Sequence, residues 1–125
     1  MGKEKLLQEA KKSADNAYAP YSGFKVGAAI LTQSGKIYSG CNVENASYGL
    51  TNCAERTAIF KAVSEGERKF KHLLIYVDSD KLFTPCGACR QVINEFTHDI
   101  PITVVSNKQS KTFSIKELLP HSFDL

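Results

Sequence analysis

Two short strings in this chain hold the residue types of a metal centre, Cys53-Ala54-Glu55-Arg56 and Pro85-Cys86-Gly87-Ala88-Cys89-Arg90. Together they offer three thiols and one carboxyl group. Cys86 and Cys89 are three apart, so on the first turn of a helix they share a face. Pro85 suits the start of such a helix, where its missing N–H costs little. Three cysteine ligands leave the fourth tetrahedral position on a zinc ion open, which is the pattern of a catalytic site and not of a closed structural one. Water in that position gives up a proton far more readily than bulk water, and Glu55 is the natural shuttle for it. Glu55 has a second reading as a helix cap, because Asn52-x-x-Glu55 approximates a capping box. A cap accounts for Glu55 but for none of the cysteines. The cysteines also have other readings. Cys41 could complete a closed zinc module of four thiolates, or Cys86 and Cys89 could work as a thiol–disulfide pair.

The longer strings CAERTA (Cys53 to Ala58) and PCGACRQV (Pro85 to Val92) resemble the cytidine deaminase family of zinc enzymes. The resemblance implies one Zn²⁺ per chain on Cys53, Cys86 and Cys89. It also implies Glu55 as the proton carrier in hydrolytic deamination of cytidine and 2′-deoxycytidine. The first ligand is a cysteine where nucleic-acid-editing relatives carry histidine, which points to the free-nucleoside branch. A related aminohydrolase acting on a modified cytosine nucleoside is the nearby alternative. AYAPYSGFKVGAA (Ala17 to Ala29) is similar to the family segment whose phenylalanine, here Phe24, stacks on the pyrimidine. The Asn42-Val43-Glu44-Asn45-Ala46 loop is similar to the one that binds the sugar. There Asn42 and Glu44 take the 3′-hydroxyl, and Val43, Asn45, Ala46, Ser47 and Tyr48 line the pocket with Ala54. Phe123 follows Leu118-Leu119-Pro120 as does a family phenylalanine that reaches a neighbouring subunit's pocket. That implies a homotetramer with shared active sites.

Charge raises one requirement by itself. Three thiolates around Zn²⁺ leave a net charge of −1, which weakens the metal as a Lewis acid. Arg56, beside Cys53, is the residue expected to donate hydrogen bonds to ligand sulfur and draw that charge back. Arg90 reads as a surface arginine. Cys41 alternates with Asn42 along a strand, so it should face away from the pocket as a buried thiol.

These residues need elements to hold them. Residues 3 to 18 read as an amphipathic helix with Leu7, Ala10, Ala14 and Ala17 at helical spacing, stopped by Pro20. Strands are expected from about Phe24 to Leu31 and from about Lys36 to Val43, joined through Gln33-Ser34-Gly35 as an antiparallel hairpin. A second helix starts near Cys53 and ends at the cap Gly66. Cys53 and Glu55 are two apart and do not face each other on a regular helix. The site therefore requires Cys53 to sit at the cap or first position, where the helix dipole also points at the metal. His72 to Asp78 is an apolar run expected of a strand covered on both faces. A third helix carries Cys89, Val92, Ile93 and Phe96. Strands at Pro101 to Ser106 and Lys111 to Phe113 are too close for a parallel crossover and should pair antiparallel. Ser114 to Leu119 is a short last helix.

This order gives an α/β fold, a three-layer α/β/α domain over residues 1–125 with a mixed five-stranded sheet. A length of 125 residues suits a single modest core. The composition is 42% hydrophobic and 23% charged, with a net charge of +3 spread along the chain. No basic run argues for nucleic acid, and no long apolar segment argues for a membrane span or an export signal. Without such a signal, cysteines at C-x-x-C spacing suit metal binding in the cytosol.

Overall fold

The helix-period and strand-period stretches fold into three layers in the computed structural model, which describes residues 2–125. The first helix, α1 (Lys3–Ala14), buries Leu6, Ala10 and Ala14 along one stripe, the spacing that keeps them on one face. Strands β1 (Val26–Thr32) and β2 (Ile37–Cys41) form the expected antiparallel hairpin, with Gly35 in the turn at φ 93°. The first helix is shorter than expected. The N–H groups of Asn16 and Ala17 fold back onto the carbonyls of Ser13 and Ala14, each at 3.0 Å. Tyr18 then pairs with the segment after β2, donating to Asn42 O at 3.0 Å and accepting from Glu44 N at 2.9 Å. A tertiary contact thus ends the helix before Pro20 can.

Helix α2 (Ala54–Ser64) is followed by Gly66 at φ 97°, the left-handed turn its glycine allows. Strand β3 (Phe70–Val77) leads through a loop to α3 (Gly87–Phe96) and β4 (Ile102–Val105). Strand β5 (Ser110–Phe113) and the single-turn α4 (Ile115–Leu118) complete the order. Ser114 and Glu117 form a reciprocal capping box at the start of α4.

The sheet runs β2-β1-β3-β4-β5. Only β3 and β4 are parallel, which is why a helix-bearing crossover separates them. β4 and β5 pair antiparallel, as their short connection demands. β3 is central and buried from Leu73 to Val77, as an unbroken apolar run requires. On one face α1 packs over Ala29, Leu74 and Tyr76. On the other, α2, α3 and α4 cover Ala28, Ile30, Leu73, Ile75, Ile102 and Val104. Two glycines let helices approach the sheet closely, Gly27 under α1 and Gly40 under α2. Among the described residues no helix is long and apolar enough to cross a membrane.

Candidate active site

Both cysteine strings become helix starts. Cys53 is the N-cap of α2 and Cys86 the N-cap of α3, each in extended backbone at ψ 157° and ψ 169°. Cap geometry removes the objection to Cys53 and Glu55 being two apart, because Cys53 lies outside the helical spiral. Pro85 stands one residue before the α3 cap instead of inside the first turn, and it is buried. Cys89 falls in the first turn of α3 and is fully buried, whereas Cys86 is exposed. Two positive helix ends therefore converge on the sulfur atoms.

The three sulfurs lie within 4.8 Å of one another, and those of Cys53 and Cys86 are 3.7 Å apart. Tetrahedral zinc with Zn–S bonds of about 2.3 Å spaces its sulfurs by about 3.8 Å, so the donor set fits that ion. Cys41 is half-buried, not fully buried, and stands outside the cluster. Arg56 donates from Nη2 to Cys53 Sγ at 3.5 Å and to Thr51 O at 3.3 Å. Cys53 is held down to about 5, first by a hydrogen bond from Cys89 and then by Arg56. Cys89 is pushed up by the same sharing and by its burial. The guanidinium and the two helix ends thus favour the thiolate of Cys53, the form in which a cysteine binds metal.

Glu55 is 5% exposed, and burial, followed by the charge of Cys53, raises its carboxyl to about 7. A carboxyl group poised near neutrality is suited to taking and giving a proton. The capping-box reading of Glu55 fails on geometry. The Asn52 N–H it would accept donates instead to Val43 O at 2.9 Å, and the Asn52 side chain donates to Thr57 Oγ1.

A cavity of about 560 Å³ opens beside Glu55, Cys53 and Cys86, within the usual range for a small-molecule site. Phe24, Asn42, Glu44, Asn45, Ala46, Tyr48 and Ala54 all line it. Val43 and Ser47 do not. Asn42 and Glu44 point in, so the pleat turns Val43 outward, where it is 47% exposed. Ser47 is turned away in a tight loop, its N–H held by Asn45 Oδ1 at 2.8 Å. Phe123 is 65% exposed and does not line this chain's own cavity. Tyr21, Ser22, Phe83 and Thr84 line the cavity and were not anticipated. The turn string Pro20-Tyr21-Ser22-Gly23 and the loop before Cys86 were the available signals for them.

The walls are tightly arranged. Asn42 accepts from Val26 N and donates to Phe24 O, both at 2.9 Å, and so fixes the backbone around Phe24. Phe24 meets Phe83 edge-on, with ring centroids 4.9 Å apart. Glu44 accepts from the N–H groups of Tyr21 and Ser22 at 3.0 Å and from the Ser22 hydroxyl. Those bonds, the hydroxyl first, hold its carboxyl below the usual range.

Residues 1–106 match the family model described as "Cytidine and deoxycytidylate deaminase zinc-binding region". The chain belongs to this family of zinc deaminases. It is 50% identical to the cytidine deaminase of Sporosarcina psychrophila, covering 98% of this chain and 92% of that one. It is 49% identical to a probable cytidine deaminase of Dictyostelium discoideum, covering 96% and 82%. Among solved structures, the cytidine deaminase from Burkholderia pseudomallei superposes with a TM-score of 0.93 at 44% identity, covering 98% and 100%. The family is a zinc family, in agreement with the three-sulfur cluster. The fold is the deaminase fold, and the chain is an enzyme of the class that hydrolyses a C–N bond.

Proposed function

We propose that this single-domain chain deaminates the free nucleosides cytidine and 2′-deoxycytidine to uridine and 2′-deoxyuridine, releasing ammonia, as a step of pyrimidine salvage in the cytosol. The observation that carries this reading is the cavity lining: two thiols of the cluster, Cys53 and Cys86, beside the buried carboxyl group of Glu55, together with the hydrogen-bonded carboxylate of Glu44, and no Lys, Arg or His among them. A substrate with a neutral sugar fits such a wall. A 5′-phosphate would find no cation in this lining to offset its charge. A reducing cytosol keeps the thiols available to metal.

In this reading Cys53, Cys86 and Cys89 hold the zinc ion, which supplies the Lewis acidity that makes water nucleophilic at neutral pH. Phe24, braced edge-on by Phe83, stacks on the base, and Ala54 borders it beside Glu55. Glu44, and Asn42 through its remaining amide hydrogen, take the 3′-hydroxyl. Glu55 accepts a proton from the attacking water and delivers it to N3 as the C4–O bond forms. It then takes the second proton and gives it to the amino group, so that the C4–N bond breaks with ammonia leaving and a carbonyl remaining. Arg56 and the two helix ends draw charge from the sulfurs throughout.

The assembly proposed is a homotetramer with shared sites. Tyr21, Tyr48, Leu50 and Phe123 are 63%, 89%, 70% and 65% exposed, and two of them line the cavity mouth. Large apolar groups left open around a polar-substrate pocket support a neighbouring chain as the missing wall.

One panel tests the substrate. Purified zinc-loaded protein is given cytidine, 2′-deoxycytidine, 5-methylcytidine and deoxycytidylate, and the loss of cytosine absorbance is followed. The two unmodified nucleosides should be turned over and the nucleotide should not. Comparable turnover of deoxycytidylate refutes the free-nucleoside reading, and preference for the methylated base favours a modified substrate.

A further inference from the structure

The three sulfurs are not held alike. Cys53 starts a helix packed on the sheet, and Cys89 is locked in the core. Cys86 is exposed and ends a stretch without regular structure that begins after β3. The first half of that stretch is tied down at Asp78, Ser79 and Asp80, and the half nearest Cys86 takes its hydrogen bonds from one side chain. Arg90, one residue after Cys89 on α3, donates from Nε to Pro85 O at 2.7 Å and from Nη2 to Thr84 Oγ1 at 2.9 Å. Among the described residues these are the only hydrogen bonds made to Leu82, Phe83, Thr84 or Pro85. The third nitrogen, Nη1, donates to Leu118 O at 2.7 Å, at the end of α4. One turn further along α3, buried Asn94 accepts from Ser122 Oγ at 3.4 Å. Positions four apart share a helix face, so Arg90 and Asn94 form a polar seam on which the C-terminal segment sits.

We propose that Arg90 is a positioning residue of the metal site, fixing Cys86 through Thr84 and Pro85 and tying that ligand's loop to the C-terminal segment at Leu118. This rests on the zinc reading above. A planar guanidinium reaches three diverging acceptors at once, which an ammonium cannot do. Loss of the clamp frees the exposed ligand while Cys53 and Cys89 stay in place. Its first effect is thus on how long zinc is retained.

The test uses zinc-loaded full-length protein: wild type, Arg90→Ala, Arg90→Lys, Thr84→Val and Ser114→Ala. The rate of zinc transfer to a chelating dye at 25 °C is measured with Tm, kcat and KM. Arg90→Ala should release zinc about 10–100 times faster than wild type, the scale for removing a partner that orients a metal ligand. Arg90→Lys should rescue little of this, and Thr84→Val should show a smaller acceleration. Ser114→Ala removes the α4 capping box but leaves the bonds to Thr84 and Pro85 that hold the Cys86 loop, so it should lower Tm yet release zinc within about twofold of wild type. Release from both Arg90 variants at the wild-type rate overturns the proposal. So does equal acceleration in Ser114→Ala, which would make Arg90 a stability residue only. Should Arg90→Ala fail to fold, Arg90→Lys and Thr84→Val decide by the same rates. Wild type that binds no zinc at all refutes the zinc reading and this inference together, a result separate from equal release rates.

Discussion

A single methyl group at Gly40 should damage the chemistry more than the fold. Gly40 lies in β2 directly under the first turn of α2. A Cβ added there would stand 2.7 Å from Ala58 N and from both Cβ and Cγ2 of Thr57. Such contacts settle at about 3.5–4.0 Å, so roughly 1 Å must open between strand and helix. Thr57 cannot swing aside cheaply, because its hydroxyl donates to Cys53 O at 3.2 Å and accepts from Asn52 at 2.9 Å. The start of α2 must move instead, carrying Cys53 and Glu55 with it. Overpacking of this kind costs about 1–3 kcal/mol. A displacement near 1 Å at reacting groups costs on the order of a hundredfold in rate. Gly40→Ala is therefore expected to fold with a lowered Tm and to lose turnover by about two orders of magnitude, read well below Tm and per bound zinc. Gly27→Ala is the control. Its Cβ would run into the Ala10 carbonyl oxygen and stand 2.7 Å from Ala14 N, on the opposite face. It should lower Tm at least as much, yet its folded, zinc-loaded fraction should keep turnover within a few fold, since α1 carries no site residue. Turnover in Gly40→Ala within about twofold of wild type, or equal losses in the two variants, would refute the reasoning.

Three further outcomes are expected. Glu55→Gln should keep zinc and fold but lose deamination by at least roughly a hundredfold; a zinc-replete variant with near-normal turnover removes Glu55 from the chemistry. Arg56→Ala should lower kcat more than it raises KM, because its partner is ligand sulfur, and the opposite split in steady-state kinetics would make Arg56 a substrate ligand. Mixing Glu55→Gln chains with Phe123→Ala chains after gentle dissociation should restore activity above either alone. This requires Phe123→Ala to be impaired by itself, and a fully active Phe123→Ala enzyme, or a monomer at working concentration, ends the shared-site idea.

Much of this molecule is legible in its sequence. The metal cluster was readable because three thiols and an acid at those spacings have few other uses, and the cap position of Cys53 followed from a geometric conflict that only a helix start resolves. Strand order near the end was readable because a short connection forbids a parallel pair. The end of α1 was not, since Tyr18 is captured by Asn42 and Glu44, a pairing that helical periodicity cannot register. Phe83 and Ser22 were missed because an aromatic and a serine in loops are ordinary residues, given meaning only by Phe24 and Glu44 across the cavity. Arg90 was read as surface for the same reason. One of its acceptors lies 28 positions away, beyond the reach of any local pattern.

The spacing of the thiols has a consequence for how the chain folds. Cys53 and Cys86 are 33 positions apart in sequence but 3.7 Å apart at sulfur. A metal ion joining them is a cross-link, closing a loop that contains α2, β3 and the stretch leading to α3. Treated as a disulfide-like tie, a loop of that length removes unfolded-state entropy equivalent to roughly 3–4 kcal/mol. That is a large share of the net stability of a domain this size, about 5–15 kcal/mol. In this protein the catalytic ion therefore doubles as a staple, and an enzyme that loses its metal also loses part of its hold on the native state.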